Sequence, residues 1–277
     1  MEQYTKGAPE EGEDKPLRRS WFYYATIGAS VILTVFLVLV LSLIILRPSA
    51  DALLASLTSS EMQFAVLLSL ATASVSTILC ILIGIPAAYA LARYSFPGNK
   101  IINAGLDLPL ALPPLVAGLG LLLLFGTTSL GSWLADVGLV FVFTPLGIIV
   151  AQFFVNFPYM IRIMRSTFTL INPRYEYVAK TLGCSDAQAV WRVTLPMSRT
   201  GLLSASTITW AKGIGEFGAV LLLAGAIKWK TETLPIALYL NMSTGRLDMA
   251  VSAALLLILI SVCALYVFER YGGSARF

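Results

Sequence analysis

The sequence predicts an all-α, polytopic membrane protein with six transmembrane helices and one folded cytoplasmic loop. Three observations carry that expectation. Of the 277 residues, 57% are hydrophobic and 12% charged, against about 45–50% and about 25% in soluble domains, and mean hydropathy is +0.82. Six runs, at roughly 22–46, 64–92, 101–126, 138–161, 201–226 and 249–269, are mostly apolar over the about 20 residues that a crossing helix needs. Between the fourth and fifth runs lies one long polar interruption, about 164–199, whereas the other connections read as short.

Residues 1–20 read as a cytoplasmic tail, solvated by Glu10, Glu11, Glu13 and Asp14, and 21–277 as one transmembrane domain. Lys15, Arg18 and Arg19 precede the first run, as they would in a signal peptide. The uncharged stretch from Trp21 to Leu46 exceeds the about 7–15 residues of a signal core, so a retained span is expected. Orientation follows from Lys and Arg, which concentrate on the cytoplasmic side. With the N-terminus inside, fourteen of the nineteen fall on inner segments; Arg47, Lys228, Lys230 and Arg246 fall outside, and Lys212 lies within a span. Both termini are therefore expected in the cytoplasm.

Span three carries Pro109, Pro113 and Pro114. Each removes a backbone hydrogen bond, and membrane helices accept such breaks where protein or water re-satisfies the backbone, so a bend shaping a pathway wall is expected. Span five carries Lys212 and Glu216 four residues apart, hence on one helix face. Charges inside a membrane are expensive and face the bundle or a wet cavity. The pair reads either as lining a pathway or hinge, or as a structural ion pair between spans.

The interruption has its own helical signals. Asn172 and Pro173 suit a helix start, and Glu176 lies in the first turn, where the dipole favours an acid. Tyr175, Val178, Ala179 and Leu182 form an apolar stripe at helical spacing. Gly183 follows, where a helix commonly ends in a left-handed residue. Ser185 with Gln188 reads as a capping box, opening a second short helix through Asp186 that places Ala187, Val190 and Trp191 on one face. Leu195 and Pro196 close the unit. The result is a helix, a glycine turn and a second helix.

Several classes are disfavoured. Cys80, Cys184 and Cys263 are far apart, which suits neither a disulfide framework nor a zinc site. No histidine is present, removing the commonest metal ligand and general base. No Gly-Lys pair exists to build a phosphate-binding loop. Gly213-Ile214-Gly215-Glu216-Phe217-Gly218 satisfies the dinucleotide fingerprint, but inside an apolar span it reads as close helix packing. The net charge of +4 gives no sign of a nucleic-acid partner. An ion-coupled carrier would show an internal repeat, and none is evident; a membrane enzyme would need convergent catalytic groups.

The run Glu176-Tyr177-Val178-Ala179-Lys180-Thr181-Leu182-Gly183, then nine residues, then Val193-Thr194-Leu195-Pro196, resembles the EAA loop of ATP-binding-cassette (ABC) importer permeases. Ala179, Gly183, Leu195 and Pro196 match that pattern and Val193 stands for Ile; Tyr177 and Val178 depart from it, and Glu176 supplies an acid one position early. Leu112-Pro113-Pro114-Leu115-Val116-Ala117-Gly118 and Glu216-Phe217-Gly218-Ala219 are similar to permeases for molybdate and tungstate, with sulfate permeases second. The resemblance implies a type I ABC importer fold and a homodimer. It also implies two ATPase subunits that bind the ATP, an extracytoplasmic oxyanion-binding protein and surrounding lipid. This chain would then be a non-enzymatic pore subunit with no cofactor of its own. It implies coupling to the ATPase through Glu176, Ala179, Gly183, Ser185, Asp186, Ala187, Val190, Trp191, Leu195 and Pro196, with Ala187 and Trp191 as apolar anchors. Pro113, Pro114, Lys212 and Glu216 would lie on the pathway.

Overall fold

The computed structural model describes residues 21–48 and 50–271; the tail expected at 1–20 lies outside the described residues, as do 272–277. Among the described residues every element is helical. The chain divides into two units, residues 1–47 and 48–277.

The first unit holds α1, Trp21–Leu46, 26 residues with no charged side chain. At about 1.5 Å per residue this is long enough for a hydrocarbon core of about 30 Å. The hydroxyls of Thr26, Ser30 and Thr34 donate to carbonyls one turn earlier, at 3.0, 3.1 and 2.8 Å. These three hydroxyls are thus satisfied without water.

The second unit is a bundle. In order it holds α2 (Ala50–Thr58), α3 (Ser60–Arg93), α4 (Asn99–Ala111), α5 (Pro114–Thr127), α6 (Ser129–Asp136) and α7 (Pro145–Leu170). Next come α8 (Arg174–Thr181), α9 (Asp186–Ala189), a π-helical turn (Val190–Thr194) and α10 (Leu195–Met197). The chain finishes with α11 (Arg199–Ile214), α12 (Gly218–Leu223), α13 (Leu234–Ser243) and α14 (Leu247–Tyr271).

α3 packs on α7 and α11. Ala65, Ser69, Ala73, Ser76, Cys80, Gly84 and Ala88 recur on it every three or four residues, all buried. Small side chains at that spacing let helix backbones approach closely, which is how membrane helices gain packing contacts without a hydrophobic driving force. At one end of this seam, Met160, Ile161, Met164 and Phe168 of α7 meet Leu91 and Ala205. Further along α7, Ile148 and Ala151 meet Leu121, Ala219, Val220 and Leu223.

Four helices among the described residues are long and apolar enough to cross a membrane, or five if α4 and α5 count as one bent span. The expected third span is therefore two helices, at 112° to each other. Leu112 and Pro113 are extended, with ψ of 136° and 135°, and Pro114 opens α5. Pro109 sits inside α4 without ending it. The fifth expected span is broken too: α11 stops at Ile214 after 16 residues, and Gly215, Glu216 and Phe217 lead into α12. The fourth begins later than expected and runs on to Leu170, because Thr144 and Pro145 supply its start.

The link between spans five and six is no short connection. Thr231, Glu232, Thr233, Leu234, Pro235, Ile236 and Ala237 are all buried, and α13 docks with the Leu234 amide donating to Ser69 Oγ at 2.7 Å. Beside it Glu61, at the start of α3, accepts from Lys228 at 2.6 Å and Arg246 at 3.3 Å. A ten-residue helix is too short to register as a span, so a span-length search passes over it.

The two breaks meet. A Cβ on Gly118 would lie 2.7 Å from the Ala219 Cα, and one on Gly218 would lie 3.0 Å from Pro114 Cβ. α5 and α12 thus touch backbone to backbone. Gly118→Ala is expected to cost about 1–3 kcal/mol, the usual penalty of overpacking, whereas a Cβ on Gly120 meets nothing within 4 Å. Thermal unfolding of detergent-purified protein should show a clear drop for Gly118→Ala and none for Gly120→Ala.

Candidate functional site

Two regions bring the sequence-predicted residues together: the hairpin between α7 and α11, and a cavity at the two helix breaks.

The hairpin turns as its sequence dictates. α8 ends at Thr181, and Gly183 takes φ +92°. Its amide donates to Lys180 O at 3.0 Å and the Cys184 amide to Ala179 O at 3.1 Å, the paired bonds that close a helix end on a left-handed residue. Ser185 and Gln188 form the expected capping box, each side chain bonded to the other's backbone amide at 3.3 and 2.9 Å. An ion pair from Lys180 to Asp186 spans the turn. The second arm differs in form: α9 has four residues and passes into a π-helical turn, where the Leu195 amide reaches back to Val190 O. Pro196 has no amide hydrogen to offer the next carbonyl, so the wider turn satisfies the backbone instead. At the start, Asn172 accepts from the Arg174 amide at 3.0 Å and Pro173, rather than Asn172, is the capping position.

The expected apolar stripe is not the packed face. Tyr175, Val178 and Leu182 are exposed, Leu182 at 81%, while Glu176 and Ala179 are buried. The inward face is thus centred on a carboxylate. Glu176 Oε1 accepts from Arg93 Nε and from Thr194 Oγ1, both at 2.9 Å, and Oε2 accepts from Tyr89 at 2.8 Å. Arg93 also donates to Ile171 O at 3.0 Å, and the Tyr89 ring packs edge-on against Phe168 at 5.7 Å. One carboxylate thus joins the end of α3, the first arm of the hairpin and the second. Burial alone would push the Glu176 carboxyl up, but the hydrogen bonds from Tyr89 and Thr194, together with the Arg93 charge, hold it below its ordinary 4.5.

Sequence reasoning missed Tyr89, Arg93 and Thr194. Tyr89 and Arg93 stand four apart at the end of a long apolar helix, an unusual place for two strong donors on one face; that was the available signal. On the outer surface Trp191 is 72% exposed and Ala187 is exposed, with Val190 half-buried and Pro196 exposed. Together with Leu182 this leaves large apolar side chains uncovered on a polar loop, a mark of surfaces that bind other proteins.

The cavity, of about 460 Å³, is lined by Pro109, Leu112 and Pro114 at the first break, by Gly215 and Glu216 at the second, and by Asn156, Tyr159 and Lys212 between them. Lys212 and Glu216 share it, but not as a helical pair. The helix ends between them, and Glu216 turns to accept from the Ala219 amide at 3.0 Å, capping α12. No ion pair joins the two among the described residues. Lys212 Nζ stands 4.4 Å from the Tyr159 ring centre. Pro113, exposed, caps α5 beside the lining.

Arg93→Ala strips a buried carboxylate of its cation, a change that typically costs about 3–5 kcal/mol. Limited proteolysis should then cut within 172–198 while the bundle stays intact. Because Glu176 titrates below its ordinary 4.5, its contribution is complete above that pH and is lost as pH falls through the lower folded value. Protection of the amides across 174–197, taken as exchange relative to the intrinsic rate at each pH, should therefore hold steady from neutrality to about pH 4.5 and fall only below it.

Comparison with known proteins agrees with this geometry. The family described as the binding-protein-dependent transport system inner membrane component matches residues 80–271. The molybdenum transport system permease protein ModB of Mycobacterium tuberculosis is 37% identical over 242 residues, 87% of this chain and 90% of its own. The sulfate transport system permease protein CysW of Synechocystis is 37% identical over 211 residues, 76% of this chain and 75% of its own. The fold matches a chain of a bacterial alginate ABC transporter, in complex with its alginate-bound periplasmic protein, with a TM-score of 0.75 at 17% identity over 91% of this chain and 94% of that one. A multi-pass place in the cell membrane follows from the apolar helices and the matched family. With more than half its length covered and the fold shared, the chain belongs to the inner-membrane components of binding-protein-dependent transport systems, the permeases of ABC importers.

Proposed function

We propose that this chain is the translocating subunit of an ATP-driven importer for an oxyanion, molybdate or tungstate in the first place. Two copies would enclose the pathway, two ATPase subunits would supply the work, and an extracytoplasmic binding protein would deliver the cargo. The observation that carries the mechanical part is the hairpin, whose turn is fixed at Gly183 and whose two arms are tied to α3 through Glu176. Its uncovered Leu182, Ala187 and Trp191 suit a groove on the ATPase. The hairpin end would be cytoplasmic, in line with the Lys and Arg bias, and both termini would lie on that side.

The cargo class is supported by the relatives, a molybdenum permease and a sulfate permease of equal identity. The molybdenum permease aligns over more of this chain, and this orders the two readings, with sulfate or thiosulfate second. Hydrolysis would belong to the partner, since no phosphate-binding loop is present in this sequence.

Vesicles holding this chain with the ATPase that copurifies with it, supplied with binding protein and ATP, are expected to take up molybdate and tungstate at least tenfold faster than sulfate. A reversed preference selects the sulfate reading. Uptake that persists without ATP hydrolysis and collapses with a protonophore would remove the ATP-driven reading. Gly183→Val forces a β-branched residue into φ +92°, a strain of roughly 1–3 kcal/mol. The variant should reach the membrane, lose the ATPase on purification and show no ATP-driven uptake.

A further inference from the structure

The cavity at the helix breaks holds two polar groups that the fold itself leaves unused. Asn156, on α7, is 1% exposed, and neither its amide nitrogen nor its amide oxygen has a hydrogen-bond partner. Leaving such a group unsatisfied costs about 1–3 kcal/mol, and buried polar groups without partners are rare enough in folded proteins to need a reason. Gln152, one turn away, leaves its oxygen unpaired too, but its amide nitrogen donates to Gly213 O at 2.8 Å and so anchors α11. Asn156 anchors nothing.

Lys212 faces the same cavity from α11. Its ammonium has no carboxylate within ion-pair distance among the described residues and rests only over the Tyr159 ring. Glu216, which also lines the cavity, has one oxygen bonded to the Ala219 amide. A cation without an ion-pair contact and an amide without a hydrogen-bond partner, on one cavity of mixed polar and apolar lining, fit a small anion that accepts hydrogen bonds from both.

We propose that this cavity is a weak transit site for the tetrahedral oxyanion, with Lys212 as its counter-charge and the Asn156 amide as its hydrogen-bond donor. The assignment rests on the oxyanion-importer reading above and adds where in this chain the cargo pauses. Glu216, on the same cavity wall, opposes the dianion electrostatically and keeps the site weak. A pathway must do this to let its cargo go.

The test uses the assembly with its ATPase subunits, in phosphatidylcholine nanodiscs and without binding protein, titrated with radiolabelled tungstate alone. Saturable binding that sulfate displaces is expected. Lys212→Gln and Asn156→Leu should each weaken it at least fivefold, and Lys212→Arg should retain it. In vesicles with binding protein, oxyanion moved per ATP hydrolysed should fall at least fivefold in the first two variants and stay near normal in Lys212→Arg, a ratio that a merely folding-related defect leaves unchanged. If Lys212→Gln does not reach the membrane, Asn156→Leu and Lys212→Arg carry the test. Wild-type binding and transport ratio in Lys212→Gln or Asn156→Leu overturn the site while the importer reading stands. Loss of tungstate binding on adding phosphatidylglycerol, with transport unchanged, overturns it in favour of a lipid phosphate. Failure of the unaltered assembly to move any oxyanion removes the importer reading and the site together.

Discussion

The Glu176 carboxylate is the constraint on which the hairpin's use depends. A turn of helix on a polar loop has little stability of its own: helices of eight and four residues are far below the about 12–15 residues at which isolated helices become even marginal in water. The arms need tertiary anchors. Three donors from outside the first arm converge on one carboxylate, and the side chains of Glu176 and Arg93 are less than a tenth exposed. At that burial each bond is electrostatically stronger than in water, and breaking one leaves a charge that nothing else solvates. The hairpin is therefore fixed to α3 as one piece, and force applied to its outer surface has a stiff route into the bundle.

That route has a definite length. Ser198 joins the hairpin directly to α11, which runs 16 residues to its end at Ile214, roughly 24 Å. The far end is the cavity, with Lys212 and Gly215 on its wall. α7 makes the same connection from the other side, ending at Leu170 before the hairpin and presenting Asn156 and Tyr159 to the cavity. Beyond the cavity the chain changes character. α5 and α12 are short, meet through glycines and join their neighbours at extended or irregular residues. α7 and α11 lead to the breaks, and α5 and α12 stand past them. Hinges are few-residue junctions of this kind, where backbone angles can change while packed helices stay whole.

How much of this was legible in the sequence follows from the range of each interaction. Gly183, Ser185 with Gln188, and the double proline at 113 and 114 are local devices, and the structure has each where the residues put it. The role of Glu176 was not legible, because Arg93 lies 83 residues away and no periodicity links them. The stripe through Tyr175, Val178 and Leu182 is not the packed face for a related reason: spacing reports that a face is apolar, not what covers it, and among the described residues these three stay exposed. The break at Gly215 was hidden because glycines in an apolar run equally signal close packing, and Gly213 does pack, its would-be Cβ 3.4 Å from Ala73. Lys212 and Glu216 share a face only on a helix that continues past Gly215, and α11 ends at Ile214.

The placement of charge along the second unit suggests why the bundle is built this way. At one end of α3, Glu176 takes up Arg93; at the other, Glu61 takes up Lys228 and Arg246. Glu61 and Arg93 stand 32 residues apart on α3, about 48 Å against the about 30 Å of hydrocarbon, so the helix is long enough to hold both ion clusters at or beyond the lipid boundary, where charge is tolerated. Lys212 and Glu216 lie apart from both clusters, at the helix breaks. A charge retained within the membrane incurs a desolvation cost that packing does not offset. Pairing the two directly would have reduced that cost, yet Glu216 turns away to cap α12 and leaves Lys212 over an aromatic ring. A geometry that forgoes its own ion pair keeps the cation open to whatever negative group passes between the breaks.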